Sequence, residues 1–447
     1  MSDIIIPAGA RAVIDALGVA GHHAYIVGGC VRDSLLGLAP HDWDICTDAT
    51  PEQTIAACSG YKIIETGLKH GTVTVVVNGE GYEVTTFRVD GDYSDHRRPD
   101  RVSFTSSLEA DLARRDFTMN AIAMDADGRL HDPFGGAKDI RERVIRCVGD
   151  PDHRFKEDGL RVLRAMRFSA AYGFTIDPDT DSALHRNRRN LCWIAPERIQ
   201  QELVRLLTGS YVGPVLREFP DVLCVFWPDL GPLVDMTQNN PWHCYDGWEH
   251  TIHAVEAAPA TPILRLAALL HDIGKPACKT TDDKGIDHFH GHPHESARLA
   301  SDMLQALRFD NKTRIWVVEL VQLHDNDITC SDTSLRKWLN RVGEELLPML
   351  IDLKIADNMA QNTRLQKVQE RIGELRRAKA KIPEVVAQQQ CFSLKRLELK
   401  GDDLLAIGVP EGPQVGAILK KLLSEVIADQ LPNEKGALLN RARQLNT

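Results

Sequence analysis

The stretch Tyr25-Ile-Val-Gly28-Gly29-Cys-Val-Arg32-Asp33-Ser-Leu-Leu-Gly37, followed a few residues later by Asp42-Trp43-Asp44-Ile45-Cys-Thr47, decides the fold. An apolar run from Tyr25 to Val27 ends on two glycines, a short amphipathic segment covers Val31 to Leu36, and Gly37 stops it. The pattern predicts strand, Gly-Gly turn, helix, strand. Glycines at such a turn let the backbone approach a phosphate, and N–H groups opening a helix favour anions. Alternation along a strand sets Asp42 and Asp44 on one face. Two hard carboxylates side by side suit Mg²⁺, and a paired Mg²⁺ site can drive nucleotidyl transfer. Either half alone is ordinary: a lone Gly-Gly is a turn, and a lone Asp-x-Asp a solvated loop.

Outward from this stretch, Ala10, Val13, Ile14 and Leu17 recur at helical spacing, and Ala49-Thr-Pro-Glu52 reads as a helix start with proline in its first turn. Gly71 to Val77 and Tyr82 to Arg88 are β-branched and alternating, joined by Asn78-Gly79, which predicts a hairpin. Glu83 lies between two apolar neighbours on the second of these strands. Residues 89–107, containing Arg97-Arg98-Pro, are polar and Gly/Pro-punctuated, which predicts a mobile, irregular loop beside the site. Leu112-Ala-Arg114-Arg115-Asp116-Phe117-Thr-Met-Asn120 follows; its charges alone also suit a capped, exposed helix end. Between Arg141 and Arg167 eight Lys/Arg face five Asp/Glu, a local basic surplus and a candidate RNA or nucleotide surface. Phe155 to Phe168 reads as one helix, on which Asp158, Arg161, Arg164 and Arg167 neighbour one another at i+3; a salt-bridged solvent face is the plain alternative. Pro196 to Leu207 reads as an amphipathic supporting helix.

The second half changes character. It is mostly helical and places His250, then Leu269-Leu-His271-Asp272-Ile-Gly274-Lys275, then His292 and His324 along the chain. Arg364, Lys367, Arg371, Arg376, Arg377, Lys379 and Lys381 form a basic stripe, and the Gly-rich segment from Gly401 to Gly416 links two helices. Helices joined by such a turn can hold a nucleic-acid backbone through N–H groups. With 447 residues there is room for three or four cores. A net charge of −10 argues against broad, non-specific coating of nucleic acid, so an RNA partner needs local basic surfaces. No window reaches the roughly 18 apolar residues of a membrane span, and neither a signal peptide nor a repeat is visible. The ten scattered cysteines predict reduced thiols in a cytoplasmic protein.

Gly-Gly followed about a dozen residues on by Asp-x-Asp resembles the signature of the DNA polymerase β nucleotidyltransferase superfamily. The fuller text, Gly28 through Arg32-Asp33 to Asp42-x-Asp44-Ile45, resembles the class II CCA-adding enzymes and bacterial poly(A) polymerases. That resemblance implies an α+β fold: a nucleotidyltransferase head (1–145), then a helical neck (146–208), an HD-type domain (209–350) and a tRNA-binding tail (351–447). It implies Mg²⁺ on Asp42 and Asp44 with Glu83 as a third carboxylate, and a triphosphate and ribose held by Gly29, Arg32 and Arg115. The loop at 89–107 corresponds to one retained by relatives that add the complete CCA end. Asp158 and Arg161 fall in the motif that reads the incoming base, with Arg164 and Arg167 near the phosphates or primer.

The chemistry fits that assignment. Cytosine and adenine both offer an amine donor beside an unprotonated ring nitrogen, so one aspartate–arginine pair serves both. Uracil and guanine present the reverse order, at roughly 1–3 kcal/mol per unpaired group. The expected activity is addition of C, C and A to tRNA from CTP and ATP, with release of pyrophosphate. Poly(A) or partial-CCA synthesis is the alternative. The His-Asp-x-Gly-Lys stretch resembles the HD phosphohydrolases and implies His250, His271, Asp272, His292 and His324 as ligands of a transition metal. An HD phosphohydrolase with an RNA-binding front half is the reading from another class.

Overall fold

Alternation shapes the first half. The computed structural model describes residues 4–65, 67–68, 71–91, 102–387 and 392–446. They fall into two units, Met1–Pro228 and Asp229–Thr447. In the first, β1 (Ala24–Val27), β2 (Ile45–Thr47), β3 (Lys62–Ile64), β4 (Thr72–Val77), β5 (Glu80–Thr86), β8 (Ala123–Met124) and β9 (Leu130–His131) form one mixed sheet, in the order β3-β4-β5-β2-β1-β8-β9. Val73, Val75 and Val77 are buried while their neighbours on β4 are partly exposed, as a period of two requires. Asn78 (φ 53°) and Gly79 (φ 89°) make the tight turn between β4 and β5. β5 then pairs in parallel with β2, Ile45 opposite Val84. The other two strands, β6 (Arg88–Asp90) and β7 (Val102–Phe104), pair with each other, so the expected irregular loop is bracketed by a short ladder. Arg97 and Arg98 lie outside the described residues.

Helices cover the sheet as their spacing predicts. Ala8–Val19 buries Ala10, Val13, Ile14 and Leu17, and Pro51–Ala57 starts on a Thr50/Gln53 capping box with Pro51 in its first turn. The expected single helix from Phe155 is two: Pro151–Glu157 and Leu160–Tyr172, broken at Asp158-Gly159. A Cβ on Gly159 would sit 2.7 Å from the Asn190 carbonyl oxygen, so the chain needs glycine where another backbone passes. Pro196–Leu207 packs Leu203, Leu206 and Leu207 against Leu160–Tyr172. Val212–Glu218 packs on the same helix, so the first unit runs about twenty residues past the expected boundary at 208.

The second unit is helical. Pro262–Leu270, buried from Leu264 to Leu270, contacts His292–Ala306, Asn311–Leu323 and Asp332–Met359. Such all-round burial marks a central helix. Asp332–Met359 runs through the expected boundary at 350, and its backbone leaves helical geometry at Gly343 (φ 84°, ψ 175°). Before that break Arg336 and Thr333 bind Asp429; after it the helix packs on Gln366–Ala387 through the Lys379–Asp352 ion pair. The last three helices share a separate core of Leu404, Leu422, Val426 and Leu438. No helix among the described residues is long and apolar enough to cross a membrane.

Gly159→Ala should destabilise the first unit by roughly 1–3 kcal/mol, because the neighbour that must yield is backbone. Urea denaturation at neutral pH reads this, and an unchanged midpoint would contradict the packing described.

Candidate functional site

The mixed sheet brings the sequence-predicted carboxylates together at one end. Asp44 precedes Ile45 and Glu83 precedes Val84, so the parallel register sets them side by side. Asp44 is also fixed by its carbonyl, which accepts from the Val27 N–H at 3.0 Å. Its carboxyl is pushed above the ordinary value by burial and by the charges of Glu83 and Asp42, with the Arg115 guanidinium opposing. Asp42 and Glu83 are exposed. Asp42 and Asp44 stand in the extended segment entering β2 rather than within it. The three carboxylates do not close into a compact ligand set among the described residues. Their hard oxygen donors fit Mg²⁺, whose remaining positions are ordinarily filled by waters and substrate phosphates.

Gly28, not Gly29, carries the backbone requirement. It sits at φ 81°, and a Cβ there would lie 2.8 Å from Arg115 Nη1. At Gly29 a Cβ would make only a 3.6 Å contact, with Arg32 Nη2. Arg115 reaches this turn from the end of helix Leu108–Ala113, held by buried Asp111 at 3.3 Å. Its Nε is buried without a hydrogen-bond partner among the described residues. A donor left open beside a glycine turn and a carboxylate pair suits an anionic ligand.

Arg32 points into the protein and joins a continuous polar chain. Its guanidinium donates to Asp33 Oδ1 at 2.8 Å and to Asn120 Oδ1 at 2.7 Å, and lies over the rings of Phe168 and Tyr172. Asn120 donates to Asp116 at 2.9 Å, Asp116 takes a two-pronged bond from Arg164 (2.8 and 2.6 Å), and Arg164 and Arg167 converge on Glu202. Asp116 is buried, which would raise its pKa, yet Arg164, Asn120 and Arg161 hold it well below the usual carboxylate range. Burial lowers Arg167 to about 10, against the pull of Glu202. The i+3 arginines are therefore internal struts between the sheet and the neck helices rather than a solvent face.

Asp158 and Arg161 flank the helix break and do not bind each other. Asp158 accepts from Arg198 Nη2 at 2.9 Å and from the Leu160 N–H at 3.0 Å. Arg161 donates to Glu157, to the Arg154 carbonyl at 3.1 Å and to the Arg114 carbonyl at 3.0 Å. Sequence reasoning gave Arg198 only a supporting role; its charge three residues into a helix start carried no more specific signal. The basic surplus of 141–167 is also largely consumed internally. Arg146, Arg154, Arg161, Arg164 and Arg167 all pair with acids, so that run is not the broad basic face its composition predicts.

In the second unit the five expected ligands meet in one buried cluster, joined by Asp357, which sequence reasoning missed. His250, His271 and Asp272 form one close set, and Asp272, His292 and His324 another. Each imidazole is pinned through Nδ1 to a backbone carbonyl: Ala360 (3.1 Å), Ala268 (2.8 Å), Phe289 (2.8 Å) and Val321 (2.6 Å) respectively. That second contact fixes ring orientation, as at metal-ligating histidines. Burial opposes protonation of His271, but Asp272 and Asp357 raise it to about 10; burial and the His271 charge hold His324 down to about 3. Imidazole and carboxylate donors together suit a transition metal.

Asp116→Asn should cost roughly 3–5 kcal/mol at pH 7, since it leaves Arg164 buried beside a neutral amide. Because the folded pKa is depressed, the native contribution is complete above about pH 4. It is lost as pH falls through the folded value. In denaturation curves of both proteins from pH 7 down to pH 3, the gap should begin to narrow below about pH 4 without closing, because the folded value lies lower still; a gap constant over that range would contradict the assignment.

Known proteins match this arrangement. Residues 24–146 match the poly A polymerase head domain, 173–219 an RNA-binding region of polymerase A, and 292–442 a tRNA nucleotidyltransferase domain 2. The chain is 35% identical to a CCA-adding enzyme of Levilactobacillus brevis, over 96% of each protein. It superposes on the crystal structure of the Bacillus stearothermophilus CCA-adding enzyme in complex with CTP with a TM-score of 0.70, at 31% identity, covering 98% of this chain and 97% of that one. The fold is also that of the Thermotoga maritima CCA-adding enzyme complexed with tRNA (TM-score 0.62, 20% identity, 99% and 96% covered). With its carboxylates, its glycine turn and its arginine struts on a polymerase head, the chain belongs to the CCA-adding enzymes, a family of nucleotidyltransferases.

Proposed function

We propose that the chain builds the 3′ end of tRNA by adding C, C and A from CTP and ATP, releasing pyrophosphate. The observation that carries this reading is the meeting of Asp44, Glu83, Gly28 and Arg115 at one end of the sheet. Asp42 and Asp44 hold Mg²⁺ with Glu83 beside them. When bound, Mg²⁺ supplies Lewis-acid activation of the primer hydroxyl and neutralises charge on the leaving group. Arg115 and the N–H groups after Gly28 and Gly29 hold the triphosphate, and Arg32 fixes the turn's helix from inside. Asp158 and Arg161 read the base by exchanging internal partners for it: Asp158 gives up Arg198 to accept from the amine, and Arg161 gives up Glu157 to donate to the ring nitrogen. Arg164 and Arg167 set the position of that pair.

The tRNA body docks on the second unit. Arg364, Lys367, Arg371, Arg376 and Arg377 are exposed along or just before helix Gln366–Ala387, and Gly408 (φ 89°) and Gly412 (φ 132°) shape the turn that follows. In domain terms we keep head, neck, HD-type domain and tail, with the HD-type part extended to Met359. The His/Asp cluster favours a second activity, in which His250, His271, Asp272, His292 and His324 hold a transition metal that activates water. The nine described cysteines are free, in keeping with a cytoplasmic setting.

Purified protein incubated with tRNA lacking its last three nucleotides, labelled CTP and ATP, and Mg²⁺ should yield tRNA ending in CCA. Long A tracts or partial ends would favour the alternatives. Asp42→Asn with Asp44→Asn should slow addition by at least about 10²-fold, the order seen when transition-state charge loses its partner. Asp158→Ala should relax the choice of C and A over U and G. Unchanged selectivity would remove Asp158 from base reading.

A further inference from the structure

Helix Gln366–Ala387 uses its cations in two ways. Toward its end they meet acids of a neighbouring helix: Lys379 binds Asp352, and Lys381 binds Asp332. Near its start, Lys367 and Arg371 pair with no carboxylate among the described residues. One turn apart at i,i+4, they lie instead over the ring of Trp242, the Lys367 ammonium and the Arg371 guanidinium each 5.8 Å from its centroid. Both cations are exposed, and 36% of Trp242 stays open to solvent.

The segment that carries the indole is fixed at its backbone. The Trp242 N–H donates to Asn240 Oδ1 at 3.0 Å, and its carbonyl accepts from the Asn362 N–H at 2.8 Å. Asn240 donates in turn to the Asp287 carbonyl at 3.1 Å. Ring and helix start are thus held together before any ligand arrives, which lowers the entropy cost of binding one.

As a packing contact the arrangement is weak, because both cations keep their water. As a recognition surface it is selective. Two positive charges repel the ammonium-type guests that aromatic faces otherwise attract. Ring and cations are satisfied together by a flat π system joined to negative charge. An unpaired nucleotide has that form: its base lies on the indole and the phosphates beside it meet the two cations. Bases inside a double helix keep their faces stacked on one another and cannot do this.

We propose that Trp242 is a stacking platform for one unpaired nucleotide of the tRNA, with Lys367 and Arg371 on its flanking phosphates. The proposal rests on the tRNA docking given under Proposed function and deepens it: the second unit grips the RNA by a base face as well as by charge. Because every base has a π-face, this contact tolerates any base.

The test is binding of labelled tRNA to the full-length chain, followed by fluorescence anisotropy over a series of NaCl concentrations. Trp242→Ala should weaken binding about 10-fold at each concentration. The slope of log K against log salt should stay as it was, since an indole releases no counterion. Lys367→Gln and Arg371→Gln should each flatten that slope by about 0.7. Trp242→Phe should recover most of the loss, and thermal melting identifies any variant that fails to fold. A blunt RNA duplex, which offers no unpaired base, should bind the unmodified chain no more tightly than Trp242→Ala. Equal tRNA affinity for Trp242→Ala and the unmodified chain overturns the platform and leaves tRNA docking standing; an unmodified chain that binds no tRNA overturns both. A 10-fold loss on the duplex as well makes Trp242 a clasp for the helix and overturns stacking. An unchanged slope in Lys367→Gln or Arg371→Gln removes that cation from the phosphates.

Discussion

Carboxylates of like charge resist being brought together, and the end of the sheet that carries Asp44 and Glu83 is organised around forcing that proximity. The parallel pairing of β2 with β5 sets Asp44 beside Glu83, and burial raises the cost of charging Asp44 further. Arg115 offsets part of this, and it reaches the site because Gly28 has no side chain in its way. Strand register, glycine turn and guanidinium are therefore one device: each would be ordinary alone, and together they maintain a concentration of negative charge that hard cations relieve.

Rigidity reaches this device from the neck. A buried ion pair adds little net stability, but breaking one is costly, so such pairs fix geometry more than they deepen the energy well. The run Arg32–Asn120–Asp116–Arg164–Glu202–Arg167 crosses from the helix after the glycine turn to the two packed neck helices. Phe168 lies under three of its guanidiniums. Asp158 and Arg161, which flank the break before one of these helices, are thereby held at a fixed distance from the glycine turn.

Much of this was legible because it is local. Period-two alternation announced β4 and β5, the Asn-Gly pair their turn, and helical spacing the buried face of Ala8–Val19. The grouping of the head's candidate residues and of the five histidine-cluster residues was legible through motif resemblance. What stayed hidden depends on contacts between distant segments. Gly159 was visible as a residue, but the Asn190 backbone that demands it was not. The spacing of the i+3 arginines could not show that Arg164 and Arg167 turn inward, because their partners, Asp116 and Glu202, lie about 40 residues away on either side. Asp357 has no neighbouring histidine to mark it. Its one signal was a carboxylate seven residues after Leu350, on a helix face otherwise given to buried leucines.

The break at Gly343 gives helix Asp332–Met359 two allegiances. Its first segment is tied through Thr333 and Arg336 to the final helices, and its second carries Asp357 to the histidines. The left-handed backbone at Gly343 is what lets one chain segment serve both, and helix Gln366–Ala387 spans the break, its Lys381 bound to Asp332 before it and its Lys379 to Asp352 after it.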